Sequence, residues 1–121
     1  MTIDPKRSEA GLTSVSVEHP SEDVAVVHVA GEVDMVTAPA LETEVSNLLR
    51  QQPRLLVIDL SEVRFFSSAG LAVLALAHRE AHESTQLRIV ANHPAVLRPL
   101  ELTGLTEDLS IQSTVKAAIE A

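Results

Sequence analysis

Two adjacent serines, Ser67 and Ser68, are the first residues in this chain whose type and position suggest chemistry. They follow an apolar run that begins at Leu55, and they precede an alanine- and leucine-rich segment, Leu71 to Ala77. This order predicts a buried strand, a loop and the start of a helix, where the first N–H groups have no intrahelical acceptor. Hydroxyl groups are favoured there as caps, and the same N–H groups can hold a phosphate. Any covalent chemistry is therefore expected at Ser67 or Ser68.

A serine hydrolase is the first alternative for this pair of hydroxyls. The run 66–70 is superficially similar to the G-x-S-x-G nucleophile elbow. However, a phenylalanine stands where the tight turn needs its first glycine, and no spacing marks His78, His82 or His93 as the base. We therefore keep the hydrolase only as a weak alternative, and we assign no catalytic residue.

The histidines give a weak signal for a metal. His78 and His82 are one helical turn apart, a spacing that can bind zinc, but Glu80 points away from both and no third ligand is evident. We therefore predict a solvated helix end, with neither a metal site nor a cofactor. His28 lies within an apolar strand and is predicted to be a packed or edge residue.

Composition excludes several classes of protein. The chain has 121 residues and no cysteine, which fits one domain and excludes thiol catalysis, cysteine-based zinc sites and disulfides. A net charge of −8 argues against a nucleic-acid surface, which needs clustered lysine and arginine. No apolar run approaches ~20 residues and no signal peptide is evident, so we predict a cytoplasmic protein with no membrane contact.

Apolar periodicity predicts strands that alternate with helices. After a loose tail at 1–11, the domain at 12–121 should contain strands near 12–17, 24–30, 54–60, 86–91 and 109–112. Helices should start after Thr37, near residue 69, after Asn92 and after Ser113 or Thr114. This pattern predicts an α/β fold with a small mixed sheet of four to five strands and about four helices. The first two strands should form a hairpin, and the later neighbours should be parallel.

Two helix starts carry specific local predictions. Thr37 is expected to cap the first helix, with Val36 and Leu41 forming a hydrophobic staple across its first turn. Asn92 is expected to cap the third helix, which Thr103 and the following glycine should end.

Three segments stand out by their order and spacing: Gly31-Glu32-Val33-Asp34, then Asp59-Leu60-Ser61 with the run 65–71, and Leu100-Glu101-Leu102-Thr103-Gly104-Leu105. Together they resemble the STAS family, and more narrowly the bacterial anti-sigma-factor antagonists. The resemblance covers nearly the whole chain from about residue 12. It rests on the order and spacing of all three segments.

The resemblance implies a phosphorylation-controlled interaction switch and not an enzyme. In this family the unphosphorylated antagonist binds an anti-sigma factor, often a serine kinase, and so releases a sigma factor. Phosphorylation of a serine at the helix start ends this binding, and a PP2C-type phosphatase restores it. An unphosphorylated STAS module that binds a nucleotide or another small ligand is the alternative.

The resemblance also implies particular site residues. The family segment often reads Asp-Ser-Ser-Gly, with its first serine modified, and that position falls on Ser68. Ser67 replaces the usual aspartate. Asp34 matches a family acidic position near the switch helix, and a simple turn or cap role explains it equally well. The implied partner surface consists of Asp34, Ser67, Ser68, Gly70 and Leu71.

Overall fold

The computed structural model describes residues 14–81, 83 and 85–121. Within these residues the strands are β1 (Ser14–Ser21), β2 (Val24–Val33), β3 (Leu55–Phe66), β4 (Gln86–Val90) and β5 (Ser110–Gln112). The helices are α1 (Ala38–Arg50), α2 (Ser68–Glu80), α3 (Pro94–Leu102) and α4 (Val115–Glu120), with a short 3₁₀ turn at Leu105–Glu107. None of these helices is long and apolar enough to span a bilayer. The predicted tail at 1–11 lies outside the described residues.

The five strands form one mixed sheet in the order β1-β2-β3-β4-β5. β1 and β2 form an antiparallel hairpin, and every later neighbour is parallel. Helices make each parallel crossover, as the geometry of parallel strands requires. The predicted α/β fold with an opening hairpin is therefore confirmed.

The sheet buries a different apolar cluster on each face. Alternate residues of β2 show why, because Val27 and Val29 face the larger cluster while Val26 faces the smaller one. The larger cluster includes buried residues of α1, α2 and α3, and the smaller one includes Ala118 of α4. Both are built almost wholly from valine, leucine, isoleucine and alanine, as the scarcity of aromatic residues requires.

β3 is longer than the sequence predicts. We expected the strand to end at residue 60, but it continues to Phe66, which pairs with Val33 of β2. The extension is polar on its open face, with Glu62 and Arg64 exposed, so it lacks the apolar run that marks the first half. The amide of Ser67 then donates to the carbonyl of Val33 at 2.9 Å, and this bond ties the start of α2 to β2.

Two local predictions about the helices are wrong. Val36 is 78% exposed, so it forms no staple with Leu41. The imidazole of His93 caps α3 by accepting the amide of Ala95 at 3.0 Å, whereas Asn92 donates to a distant carbonyl. His78 is exposed in the last turn of α2, which agrees with the predicted solvated helix end.

Candidate functional site

The start of α2 is held by the side chain of Ser67. This residue is the N-cap, with extended backbone angles, and its hydroxyl accepts the amide of Ala69 at 3.2 Å. Its carbonyl accepts the amide of Leu71 at 3.1 Å. Ser67 is half-buried, so both its position and its hydroxyl serve the fold.

Ser68 is in a different situation one residue later. It is the first residue of α2, it is exposed, and its hydroxyl makes no hydrogen bond to any described residue. The hydroxyl is therefore free to react without loss of a structural contact. It also lies in the first turn of a 13-residue helix, where backbone dipoles favour negative charge.

Gly70 is buried and makes room for the ring of Phe66. A Cβ built at this position would lie 2.7 Å from Cε1 and 2.8 Å from Cζ of that ring. The phenyl ring itself is only 4% exposed, so it has little space to move. The described role of Gly70 is one of packing, because the glycine allows Phe66 to pack against the first turn of α2. Leu71, in contrast, is partly exposed beside it.

The packing of Phe66 leads to a first prediction. Gly70→Ala should lower the free energy of unfolding by roughly 2 kcal/mol, because a Cβ at 2.7 Å from a buried ring puts overpacking near the top of its range of about 1–3 kcal/mol, against a helix-propensity gain of about 1 kcal/mol. Urea denaturation measures the change. Ser68→Ala in the same turn is the control and should stay within about 0.5 kcal/mol of wild type. Equal stability of the glycine variant would show that Phe66 is not fixed as described.

Asp34 organises the loop between β2 and α1. Its Oδ1 accepts the amides of Val36 and Thr37 at 2.9 and 3.0 Å. The hydroxyl of Thr37 accepts the amide of Asp34 at 2.9 Å and donates to the carbonyl of Glu32 at 2.8 Å. Thr37 is the N-cap residue of α1, as predicted, but its side chain makes no capping bond to the helix, because its hydroxyl is engaged with the backbone of Asp34 and Glu32.

The electrostatics of this loop follow from the same hydrogen bonds. The bond from the Thr37 amide, followed by that from the Val36 amide, lowers the pKa of the Asp34 carboxyl below its usual value. The carboxylate is therefore charged at neutral pH. The turn role that the sequence left open for Asp34 is thus real, and the charged group remains partly exposed beside the loop.

Large apolar side chains are exposed around this end of the sheet. Met35 and Val36, in the loop after β2, are 80% and 78% exposed. Phe65, near the end of β3, is 49% exposed, and Leu102, at the end of α3, is 80% exposed. These four are the exposed large hydrophobic residues in the described part of the chain. Solvent-facing side chains of this size mark interaction surfaces when they gather at one end of a molecule.

Sequence reasoning did not identify Phe65 or Leu102 as surface residues. A signal existed for the first, because Phe65 and Phe66 are adjacent in a strand and adjacent strand residues face opposite ways. The two rings were therefore expected on opposite faces of the strand, in different surroundings. The exposure of Leu102 depends on where α3 ends, which helical spacing does not fix.

The described residues do not form the arrangement that a serine hydrolase or a metal site would need. Neither Ser67 nor Ser68 has a hydrogen bond to a histidine there, and His93 is used as a helix cap. No group of three or more potential ligands gathers among these residues. His82, the second member of the proposed pair with His78, lies outside them.

A row of charged side chains crosses the hairpin and β3. His28 of β2 contacts Asp59 of β3 through Nδ1 at 2.8 Å and Glu18 of β1 through Nε2 at 2.8 Å. Asp59 is buried, and its Oδ1 also accepts the amide and the hydroxyl of Ser61. Burial of the imidazole lowers its pKa, but the hydrogen bonds to the two carboxylates outweigh this effect, so the pKa of His28 is raised overall.

The sequence matches a known domain family over most of its length. The sequence model of the STAS domain matches residues 15–118, and the chain therefore belongs to the STAS domain family. A Mycobacterium tuberculosis protein described as anti-sigma-F factor antagonist RsfB is 38% identical over 96 residues, which is 79% of each chain.

Solved structures give the same family likeness. An anti-sigma factor antagonist from Mycobacterium paratuberculosis superposes with a TM-score of 0.87 at 40% identity and covers 93% of this chain and 96% of its own. The unphosphorylated form of the antagonist SpoIIAA superposes with a TM-score of 0.75 over 88% of this chain and 94% of its own. At 17% identity, this second likeness shows a shared fold.

Proposed function

We propose that this protein is an anti-sigma-factor antagonist that acts by binding and catalyses no reaction. In its unphosphorylated form it binds an anti-sigma factor, which is itself a serine kinase, and so frees a sigma factor. Phosphorylation at Ser68 ends the binding, and a PP2C-type phosphatase restores it. The protein acts in the cytoplasm, where sigma factors work.

The observation that carries this proposal is the contrast between the two adjacent serines. Ser67 uses its hydroxyl to cap α2, whereas Ser68 has an exposed hydroxyl with no bond among the described residues. A kinase can reach the second without breaking the helix start. The names of the 38% and 40% identical relatives support the same role.

The partner surface follows from the residues around Ser68. Exposed Met35, Val36 and Phe65 lie on the two segments that flank the start of α2, and the Asp34 carboxylate adds a charge. Apolar side chains with a charged rim are typical of a protein-binding surface. A phosphate at the centre of such a surface would have to be desolvated on binding, which is costly.

A binding panel tests the proposal. The purified chain is titrated calorimetrically with each anti-sigma factor of its source organism and with the Mycobacterium tuberculosis anti-sigma-F factor. Each factor is then incubated with the chain and ATP, and the phosphate is mapped by mass spectrometry. We expect one factor to bind with micromolar or tighter affinity and to modify Ser68. No binding across the panel would overturn the function, and modification at Ser67 or Thr37 would overturn the site.

A further prediction separates the charge of Asp34 from its role in the turn. Asp34→Asn keeps a side-chain oxygen for the amides of Val36 and Thr37 but removes the negative charge. Asp34→Ala removes both. If the carboxylate contacts the partner, both variants bind it at least about tenfold more weakly, while only the alanine variant lowers the melting temperature.

Calorimetry and a thermal melt on the same samples decide this point. Glu44→Gln, which removes a negative charge from the middle of α1, is the control and should bind like wild type. Wild-type affinity for Asp34→Asn would mean that Asp34 only shapes the turn.

A further inference from the structure

An open apolar groove lies between the end of β3, the first turn of α2 and α3. Phe65, Phe66 and Leu71 form one side, and Pro99 and Leu102 of α3 form the other. Its volume is about 460 Å³, and its lining is mostly apolar. We refer to it as the α2–α3 groove.

Among the described residues that line the α2–α3 groove, Arg98 is the only charged one. This arginine is exposed and has no ion pair or hydrogen bond with any other described residue. The described part of the lining contains no carboxylate, although the chain as a whole carries a net charge of −8. An unpaired cation beside apolar walls in an acidic protein complements a ligand that is apolar and negatively charged.

The shape of the groove favours a peptide segment over a small molecule. Small ligands are usually held in concave sites that bury most of their surface. Here Leu102 and Phe65 are exposed at the rims, so a small molecule would remain largely in contact with water. A groove beside helices with exposed apolar anchors suits an amphipathic helix.

We propose that the α2–α3 groove binds an acidic amphipathic segment of the anti-sigma factor, and this inference rests on the proposed function. The segment places an apolar side chain between Phe65 and Leu102, and its carboxylate pairs with Arg98. The groove adjoins the switch, because Leu71 lies one helical turn after Ser68. The partner surface therefore has two parts. The start of α2 contains the phosphoacceptor Ser68, and the α2–α3 groove does not.

Two variants test the groove without touching Ser68. Arg98→Glu reverses the cation, and Leu102→Ser removes the most exposed apolar anchor. The matched control is Arg79→Glu, since Arg79 is an exposed arginine in the last turn of α2 with no described partner. All four proteins are titrated with the anti-sigma factor that binds wild type in the panel, at two salt concentrations, after circular dichroism has verified their folds.

We expect Arg98→Glu and Leu102→Ser to weaken binding at least tenfold, and Arg79→Glu to change it less than twofold. Added salt should therefore narrow the difference in affinity between wild type and Arg98→Glu, because it screens an attraction in the first and a repulsion in the second. If wild type binds and both groove variants match the Arg79 control, the inference is overturned while the proposed function stands. If no factor binds wild type, both are overturned.

Two other occupants of the groove are also tested by the same samples. Sedimentation of wild type as a dimer that Leu102→Ser dissociates would assign the groove to a second copy of the chain. Native mass spectrometry that finds a bound fatty acid in wild type but not in Arg98→Glu would assign it to a small amphiphile. Either result overturns the partner segment.

Discussion

Protein phosphorylated on Ser68, or the Ser68→Glu variant, should melt at or slightly above the wild-type temperature and yet bind its partner about 30- to 150-fold more weakly. The phosphate adds about −1.5 to −2 charges at the start of α2. Negative charge there stabilises a helix by roughly 0.3–1 kcal/mol at an exposed site. Because the Ser68 hydroxyl makes no hydrogen bond among the described residues, its modification removes no contact.

The loss should arise wholly at the interface. Burying a charged group without a partner costs more than the 1–3 kcal/mol of a neutral one, and a loss of roughly 2–3 kcal/mol corresponds to the stated fold-change. Ser68→Ala should bind like wild type and resist inactivation by the kinase. Ser67→Ala is the matched control for the neighbouring hydroxyl: it should lose about 1 kcal/mol of stability with its cap and should still be inactivated by the kinase. A large fall in melting temperature on phosphorylation would mean that the switch works by local unfolding.

The second large effect is expected from the row of charged side chains across the sheet. Asp59→Ala should lower the free energy of unfolding by about 2–4 kcal/mol, because it leaves a partly buried imidazole and the Ser61 amide without their acceptor. Urea denaturation at pH 6 measures the loss. Glu62→Ala removes an exposed carboxylate from the same strand, and its cost should not exceed about 0.5 kcal/mol.

The same row should make stability depend on pH. The pKa of His28 is raised in the folded protein above its ordinary value of 6.5, since the two carboxylate hydrogen bonds outweigh burial. Protonated His28 therefore contributes stability that is fully present below pH 6.5 and is lost as pH rises through the folded pKa. Wild type should become less stable as the pH is raised from 6 to 8.

His28→Gln isolates this contribution. The variant should show a smaller fall in unfolding free energy over that range than wild type, because the group that titrates between its partners is gone. His78→Gln changes an exposed histidine at the end of α2 and should retain the wild-type slope. A wild-type slope in the His28 variant would show that other groups cause the pH dependence.

The sequence predicted the parts of the fold that depend on apolar pattern. The buried half of β3 and the order of strands and helices could be predicted, because burial on both faces leaves a run of apolar residues. The second half of β3 could not. Its residues from Ser61 to Arg64 are mostly polar, and the strand continues because it stays paired with β2, from Ala30 opposite Glu62 to Val33 opposite Phe66.

The sequence predicted the site residues whose roles depend on their immediate neighbours in the chain. A serine pair before an apolar helix identifies a cap and a free hydroxyl, and the structure assigns these roles to Ser67 and Ser68 respectively. The sequence could not show whether Asp34 or Thr37 accepts hydrogen bonds from the free amides of the loop before α1, because both residue types cap helices. The partners of His28 lie on neighbouring strands, so no local pattern reveals them.

The independence of the Ser68 hydroxyl from the fold has an evolutionary consequence. A residue that makes no structural contact can be replaced at almost no cost in stability, and one nucleotide change converts four of the six serine codons to an alanine codon. If Ser68 is the phosphoacceptor, duplicated copies of such a gene can lose control by the kinase in a single step and become permanent antagonists. They can regain it by the reverse step. Selection can therefore change how this protein is regulated without changing the residues that stabilise its fold.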